Sequence, residues 1–395
     1  MSAVFGIGNP LIDVVFSATE EDLRALKLDK GIMHLVTEER QQEILHHFSG
    51  KTPQLQPGGS APNTLLALAG LGVTAVISGK IGNDEFGNTY DAQVSAYGIT
   101  SRLVHGDGAT GSSIILVTPD GERTMNTHLG MCREFDVADL DEELLRTTVR
   151  DGGFLYFTGY MWDTETQKGA IRRAITITHE ENGRVVFDLA DPFAVERYRD
   201  DFLELLRDEI DVVFANLREA QILLGYDDGT DRGGDTGNND PDRGLTPGGP
   251  EGAAGATGRV LARRLAAMVP TVALKTGKEG SLVAHRPDTR HRPDARHPER
   301  SPAADRSPAT APEPVIETVS ARPITPRDTT GAGDMYAAGF LAGLVRGDSP
   351  RRCGEIAGIL AEEIIQQVGA QFEVERIRTL SSELRPSSGR GDTGR

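Results

Sequence analysis

Asp328 to Gly343 reads DTTGAGDMYAAGFLAG: a small polar turn holding Gly331 and Gly333 becomes a run of small apolar residues at helical spacing, with one acid, Asp334, at the join. Glycines remove the Cβ penalty for unusual dihedrals and let backbone N–H groups converge. A helix starting there adds its unpaired N–H groups and the positive end of its dipole. The product is an anion cradle with a carboxylate beside it. Asp334 can take a hydroxyl proton while Gly331, Ala332 and Gly333 hold the charge developing on a transferred phosphoryl group. Such a base needs no large upward shift of its own pKa, because the hydroxyl loses its proton late in a loose transition state. A side chain at Gly333 is expected to force disallowed backbone angles and crowd the cradle. An acid in a first helical turn is also ordinary dipole chemistry, so this stretch alone leaves both readings open.

Other residues could serve a polar ligand. Gly58 and Gly59 would let backbone approach a polyhydroxylated molecule, and the Asn63 amide can both donate to and accept from hydroxyls. Asp13 lies among Leu11, Ile12, Val14 and Val15, where a carboxylate is costly unless partnered. A ribose diol would satisfy it, and so would local backbone N–H groups. Glu219 alone is an ordinary helix acid; its place after the strand-like DVVFANL, three residues beyond Asn216, is what singles it out. GIGNPL (6–11) starts like a dinucleotide-binding glycine motif but has Leu11 for the third glycine. Gly50-Lys51-Thr52 ends like a P-loop with Leu45 where a glycine is required, so neither nucleotide motif applies. His285, His291 and His297 sit in a proline-rich tract that holds no fixed metal geometry.

The elements that must position these residues alternate in type. VFGIGNP, TAVISGKIG, SSIILVTP, GFLYFTGY, RVVFDLA, DVVFANL and TVALKTG read as strands. Helical patterns cover 63–71, 165–181, 195–209 and 259–268. This βαβ rhythm predicts an α/β fold with a mainly parallel sheet between helices, and ligands beyond the carboxyl ends of the strands. Segments 227–258 and 286–314 hold almost nothing large and apolar, and cannot offset their ordering entropy; with the tail 386–395 they are expected to be disordered.

Of 395 residues, 38% are hydrophobic, enough for one large α/β domain or two smaller ones. The net charge of −17 argues against a nucleic-acid partner, which needs a basic face. Cys132 and Cys353, the two cysteines, fit a reducing compartment. No uncharged apolar run reaches a membrane span and the amino terminus is unlike a signal peptide, so a soluble, cytoplasmic protein is expected.

DTTGAGDMYAAGF resembles the carboxyl-terminal signature of the ribokinase-like (PfkB) family of carbohydrate and nucleoside kinases. PGGSAPNTLLALAGLG (57–72) is similar to its amino-terminal signature, with Asn63 opening a helix; IGNDEFG (81–87), NLRE (216–219) and KTGKEG (275–280) follow in family order. The resemblance implies a three-layer α/β/α domain over 1–385, with a mainly parallel sheet of about eight or more strands. A small β-sheet lid from about 13–38 and 105–133 would cover the site. It implies Asp334 as catalytic base, Gly331, Ala332 and Gly333 as anion hole, and Gly58, Gly59 and Asn63 on the acceptor. Asn216, Lys275, Gly277, Gly280 and Thr330 fall on the ATP side. Mg²⁺ falls to Asn216 and, indirectly, Glu219. Some members use a monovalent cation such as K⁺, whose loop has no recognisable counterpart here.

FGIGNPLIDV resembles the opening of the adenosine kinases within that family. That implies Asn9 and Asp13 on a ribose, Tyr160 stacked on a purine and Met33 covering it, although core packing would equally explain the last two. The implied reaction is transfer of the ATP γ-phosphoryl group to the 5′-OH of adenosine, by a monomer or homodimer. A ribokinase- or fructokinase-like sugar kinase is the alternative. A non-catalytic binding protein would be expected to lose Asp334, Gly331 or Gly333. A scaffold with the insertions as interaction arms is compatible with catalysis.

Overall fold

Apolar runs rich in β-branched and aromatic residues form the strands. In the computed structural model, which describes residues 3–226, 253–286 and 313–384, these are β1 (Val4–Ile7), β2 (Leu11–Ser17), β3 (Met33–Leu35), β4 (Gln54–Gly58), β5 (Ala75–Gly82), β6 (Thr100–Gly106) and β7 (Ser112–Val117). They continue with β8 (Arg123–His128), β9 (Phe154–Thr158), β10 (Arg184–Asp188), β11 (Val212–Asn216), β12 (Thr271–Lys275), β13 (Ser281–His285) and β14 (Val315–Val319).

Nine of them make one sheet in the order β14-β13-β12-β11-β10-β9-β1-β5-β6. The seven strands from β12 to β6 pair in parallel; β13 and β14 close one edge antiparallel. Side chains alternate between two cores, as strand pleating requires. Phe154, Tyr156, Val186 and Phe214 pack with the helices Ser60–Gly70, Ala332–Arg346 and Pro350–Ile364. Leu155, Phe157, Val185 and Val213 pack with Glu165–Glu180, Arg199–Asp208 and Ala253–Ala266. The result is a three-layer α/β/α fold, as the resemblance implies. Chain order reverses around β1, and Asp188, Asn216 and Lys275 are each the last residue of a parallel strand. Ligand sites form at such places.

The other five strands form a second sheet, β3-β8-β7-β2-β4. One face buries Ile12, Val14 and Phe16 against Leu23, Ile44 and Phe48 of the Glu20–Ala25 and Glu38–His47 region. In the cross-strand register Asp13 pairs with Gln56 and Ser113, Ser113 with Thr127, and Thr127 with Leu35. That row therefore occupies the opposite face.

Every stretch read as a strand from sequence is one. Four boundaries differ. The first signature helix starts at Ser60, with Gly59 as its cap at φ +96°, so Asn63 sits one turn inside rather than opening it. The pattern 195–209 is two helices, Pro192–Arg197 and Arg199–Asp208, broken at Tyr198. The Ala253–Ala266 helix begins inside the segment 227–258 expected as loop; the remainder of that segment, most of 286–314 and the tail lie outside the described residues. The small sheet recruits Gln54–Gly58, outside both segments assigned to it, while His105 belongs to β6 in the large sheet.

Candidate active site

Gly331 caps the Ala332–Arg346 helix at φ +76°, a left-handed conformation that glycine adopts without strain. A Cβ there would also lie 2.7 Å from the backbone of Ala370. Gly333 is ordinary helix, absent from the positive-φ residues, and a Cβ on it would stand 3.5 Å from Lys275 Nζ. The backbone constraint expected at Gly333 thus belongs to Gly331. Asp334 follows in the first turn, flanked by the helix N–H groups that lack intrahelical partners.

The Asp334 carboxylate meets the start of the other signature helix. Ser60 Oγ donates to Oδ1 at 2.7 Å and Asn63 Nδ2 to Oδ2 at 2.9 Å. Thr64 Oγ1 donates to the Asp334 carbonyl at 3.2 Å. Although part of its surface remains open, burial pushes the Asp334 pKa up to about 7 against the pull of these bonds and of Lys275, and Asp188 adds to the rise. Sequence alone predicts no large shift; closure of two helix N-termini around one carboxylate produces it.

Lys275, ending β12, faces three acids. Its Nζ lies 3.4 Å from Oδ1 of Asp188. Desolvation opposes its charge, but Asp188, Glu219 and Asp334 outweigh it and raise its pKa. Burial raises Asp188 in turn. Asp188 was missed in the sequence; the available signal was an acid closing the strand run RVVFD. Glu219 is buried, which pushes it to about 7. It forms a capping box with Asn216: its Oε2 accepts from Asn216 N at 2.8 Å, its Oε1 from Asn216 Nδ2, and its own N–H donates to Asn216 Oδ1. Both carboxylate oxygens are therefore occupied. Among the described residues no three potential ligands cluster as a metal cage. Both carboxylate oxygens of Glu219 being taken, Glu219 and Asn216 could reach a divalent cation only through water.

Asp13 keeps part of its surface open and accepts no hydrogen bond from any described group. Burial raises it to about 7, countered by Arg123 and reinforced by Asp334. It lies against Gly58, where a Cβ would come within 2.6 Å of Asp13 Oδ1; only glycine leaves this carboxylate room. At Gly59 a Cβ would meet the Asn9 carbonyl at 2.1 Å. The Asn9 amide is used within the protein, donating to Tyr160 O at 3.2 Å and accepting from Gln167 Nε2 at 2.9 Å. It holds the loop after β9 rather than presenting itself to solvent. Asn63 spends its oxygen on Gln371 Nε2 at 2.8 Å and keeps one Nδ2 proton beyond its bond to Asp334.

Tyr160 donates to Asp191 Oδ2 at 3.2 Å and leaves 37% of its surface exposed; Phe193, whose N–H donates to Asp191 Oδ1, is 58% exposed. Nothing in the local sequence points to Phe193. Met33, 45% exposed, lies on β3 at the rim of the small sheet. Arg123 of β8, also missed, ties that sheet to the signature loop: its Nη1 donates to Asp328 Oδ2 at 2.6 Å, and its buried Nε has no partner. Asp328 also accepts from Thr330 N and Oγ1 and from Gly369 N, and is held down to about 2 despite burial. Thr330 thus serves the loop turn. Gly277 (φ +65°) and Gly280 (φ +104°) shape the β12–β13 hairpin next to Lys275. A cavity of about 260 Å³ beside Trp162 and Arg172 contains none of these groups.

The model of the pfkB family carbohydrate kinases matches residues 29–301 and 313–377. An adenosine kinase of Dictyostelium discoideum is 26% identical over 375 residues, 92% of this chain and 94% of that one. The crystal structure of adenosine kinase from Sinorhizobium meliloti superposes with a TM-score of 0.72 at 30% identity, over 97% of this chain and 99% of that one. A probable sugar kinase from Rhizobium etli CFN 42 gives 0.73 at 27% identity over the same shares.

Proposed function

The chain belongs to the pfkB family of carbohydrate kinases, phosphotransferases with an alcohol group as acceptor, and we propose that its acceptor is the 5′-OH of adenosine. One observation carries a diol-bearing acceptor: Asp13 is a partly buried carboxylate with no hydrogen-bond donor of its own among the described residues. A cis-diol offers two O–H donors to one carboxylate, which a ribonucleoside presents on the ring edge away from the base. Tyr160 through its hydroxyl and Phe193 through its backbone N–H both bond Asp191, beyond the carboxyl end of β10, and their partly exposed side chains would offer a purine a surface to stack on. The small sheet turns Val15, Ile115 and Met125 the same way as Asp13, an apolar lining suited to a base.

In this reading the small sheet is the lid, and its closure excludes water from the transfer. Asp334 accepts the 5′-OH proton as the oxygen bonds to the γ-phosphorus. Its pKa of about 7 places it where a general base is most effective at neutral pH. The Gly333 N–H and the Lys275 ammonium would face the developing negative charge, whereas the Ala332 N–H, expected in the anion hole, is donated to the Thr329 carbonyl at 3.2 Å. Ser60 and Asn63 hold the carboxylate still until it acts. ATP would supply the phosphoryl group, its β–γ bridging P–O bond breaking to release ADP, and Mg²⁺, held through water by Asn216 and Glu219, would neutralise phosphate charge.

A sugar kinase is the second reading, favoured by the likeness to the Rhizobium etli protein; a furanose also carries a diol. A purely binding role fits poorly with retention of Asp334, Gly331 and Gly333. ADP release from ATP and Mg²⁺ with adenosine, inosine, guanosine, ribose or fructose 6-phosphate tests the choice. Adenosine should give the highest kcat/KM; ribose or fructose 6-phosphate exceeding it overturns the nucleoside reading.

A further inference from the structure

Behind Asp334 runs a chain of amides that ends in a phenol. Tyr97, at the end of the Glu85–Ala96 helix, donates its hydroxyl to Gln371 Oε1 at 3.1 Å. Gln371 Nε2 then donates one proton to the Pro57 carbonyl and the other to Asn63 Oδ1, the latter at 2.8 Å. With its oxygen taken by a donor and both N–H groups taken by acceptors, the Gln371 amide has one satisfied orientation. That orientation turns the Asn63 oxygen toward Gln371, leaving Asn63 Nδ2 to donate to Asp334 Oδ2 at 2.9 Å. Flipping either amide would set oxygen against oxygen at hydrogen-bonding distance.

We propose that Gln371 is a positioning residue for phosphoryl transfer: held by Tyr97 and Pro57, it fixes the Asn63 amide so that an N–H and not an oxygen faces the catalytic carboxylate. This rests on the kinase reading of Asp334 and not on the identity of the acceptor. The relay does two things. It stabilises the ionised carboxylate, and it aims the second Nδ2 proton of Asn63 away from Gln371, toward the space where an acceptor hydroxyl would lie. No feature of the PGGSAPN or DTTGAGD stretches points to Gln371; tertiary packing of the segment after the Pro350–Ile364 helix brings it there.

Gln371→Glu and Gln371→Leu test the relay in the full chain. A Glu side chain accepts only, so the Asn63 amide must turn its N–H groups to it and its oxygen to Asp334; Leu removes the constraint without a charge. Besides Ser60 and Asn63, the groups facing Asp334 are Lys275 of β12, Asp188 of β10 and Asp13 of β2, with Tyr156 of β9 and Tyr160 beyond it. None is altered in either variant. Loss of one charge-assisted bond should move the low-pH limb of kcat upward by about one to two pH units. Accordingly kcat at pH 7 should fall about tenfold and recover by pH 9, and Tyr97→Phe should shift in the same direction by less. ¹³C NMR titration of the Asp334 carboxyl, assigned with Asp334→Asn, should report the same displacement without turnover. A loss of kcat equal at all pH values, with an unmoved carboxyl titration, assigns Gln371 to packing alone and overturns the proposal. Absence of wild-type turnover with any acceptor would defeat the kinase reading, and the NMR titration would still decide the relay.

Discussion

Asp334→Asn separates the stability of this fold from its chemistry, because the two should move in opposite directions. The amide keeps the shape of the carboxylate and remains satisfied: its oxygen accepts from Asn63, and the Ser60 hydroxyl can rotate to accept from the new N–H group. Turnover should drop by about 10²–10⁴, with KM for both substrates nearly unchanged, since the lost interaction acts on the transferred proton. Stability should rise. Folding raises the Asp334 pKa from 3.8 to about 7, and at about 1.4 kcal/mol per unit, ionisation costs the folded state at most about 4 kcal/mol. Partial exposure to solvent screens this, leaving about 2 kcal/mol. The sign follows from the raised pKa. Below 3.8 both forms of the protein carry a neutral group and differ little. From 3.8 to 7 the wild type loses stability as the unfolded chain ionises first, and above 7 the full penalty remains. Differential scanning calorimetry of the ligand-free proteins should therefore give a variant Tm about 2–4 °C above wild type at pH 8, and a gap that closes toward pH 4. Near-normal turnover by the folded variant would reduce Asp334 to a helix-cap acid. A gap that does not widen with pH would refute the burial argument.

If Asp13 grips a diol, 2′,3′-dideoxyadenosine should lose about 2–4 kcal/mol of binding to wild type and far less to Asp13→Ala, by calorimetry; equal losses in both would remove Asp13 from that role. Because burial raises Asp13 to about 7 and the diol needs the ionised form, nucleoside KM should climb about tenfold per unit as pH falls below 7, and a flat profile would contradict it. Arg123→Met removes the charge that pulls Asp13 down, so the same limb should shift upward; no shift would sever the two residues. Gly331→Ala should cost at least about 1–2 kcal/mol through its left-handed backbone alone, whereas Gly333→Ala, whose Cβ would make only an ordinary contact with Lys275 Nζ at 3.5 Å, should leave Tm nearly unchanged; equal Tm losses would contradict that division.

The strands of the large sheet were legible because each is a continuous apolar run rich in β-branched and aromatic residues, the pattern of a strand buried on both faces. The turn at Gly331 and the helix start carrying Asp334 were legible for a local reason: glycine spacing and the small apolar run after it set them whatever surrounds them. Gln54–Gly58 has no such pattern, since QLQPG is mostly polar and becomes a strand only by pairing with β2. Asp188 and Lys275 lie 87 residues apart in sequence and meet because their strands end at the same edge of the sheet. The rise of Asp334 toward neutrality, the unpartnered state of Asp13 and the orientation of the Asn63 amide were settled by tertiary structure alone. A sequence lists which groups can ionise or donate. Their protonation and direction depend on what is packed around them, because desolvation and hydrogen-bond geometry act over a few ångströms in space rather than along the chain.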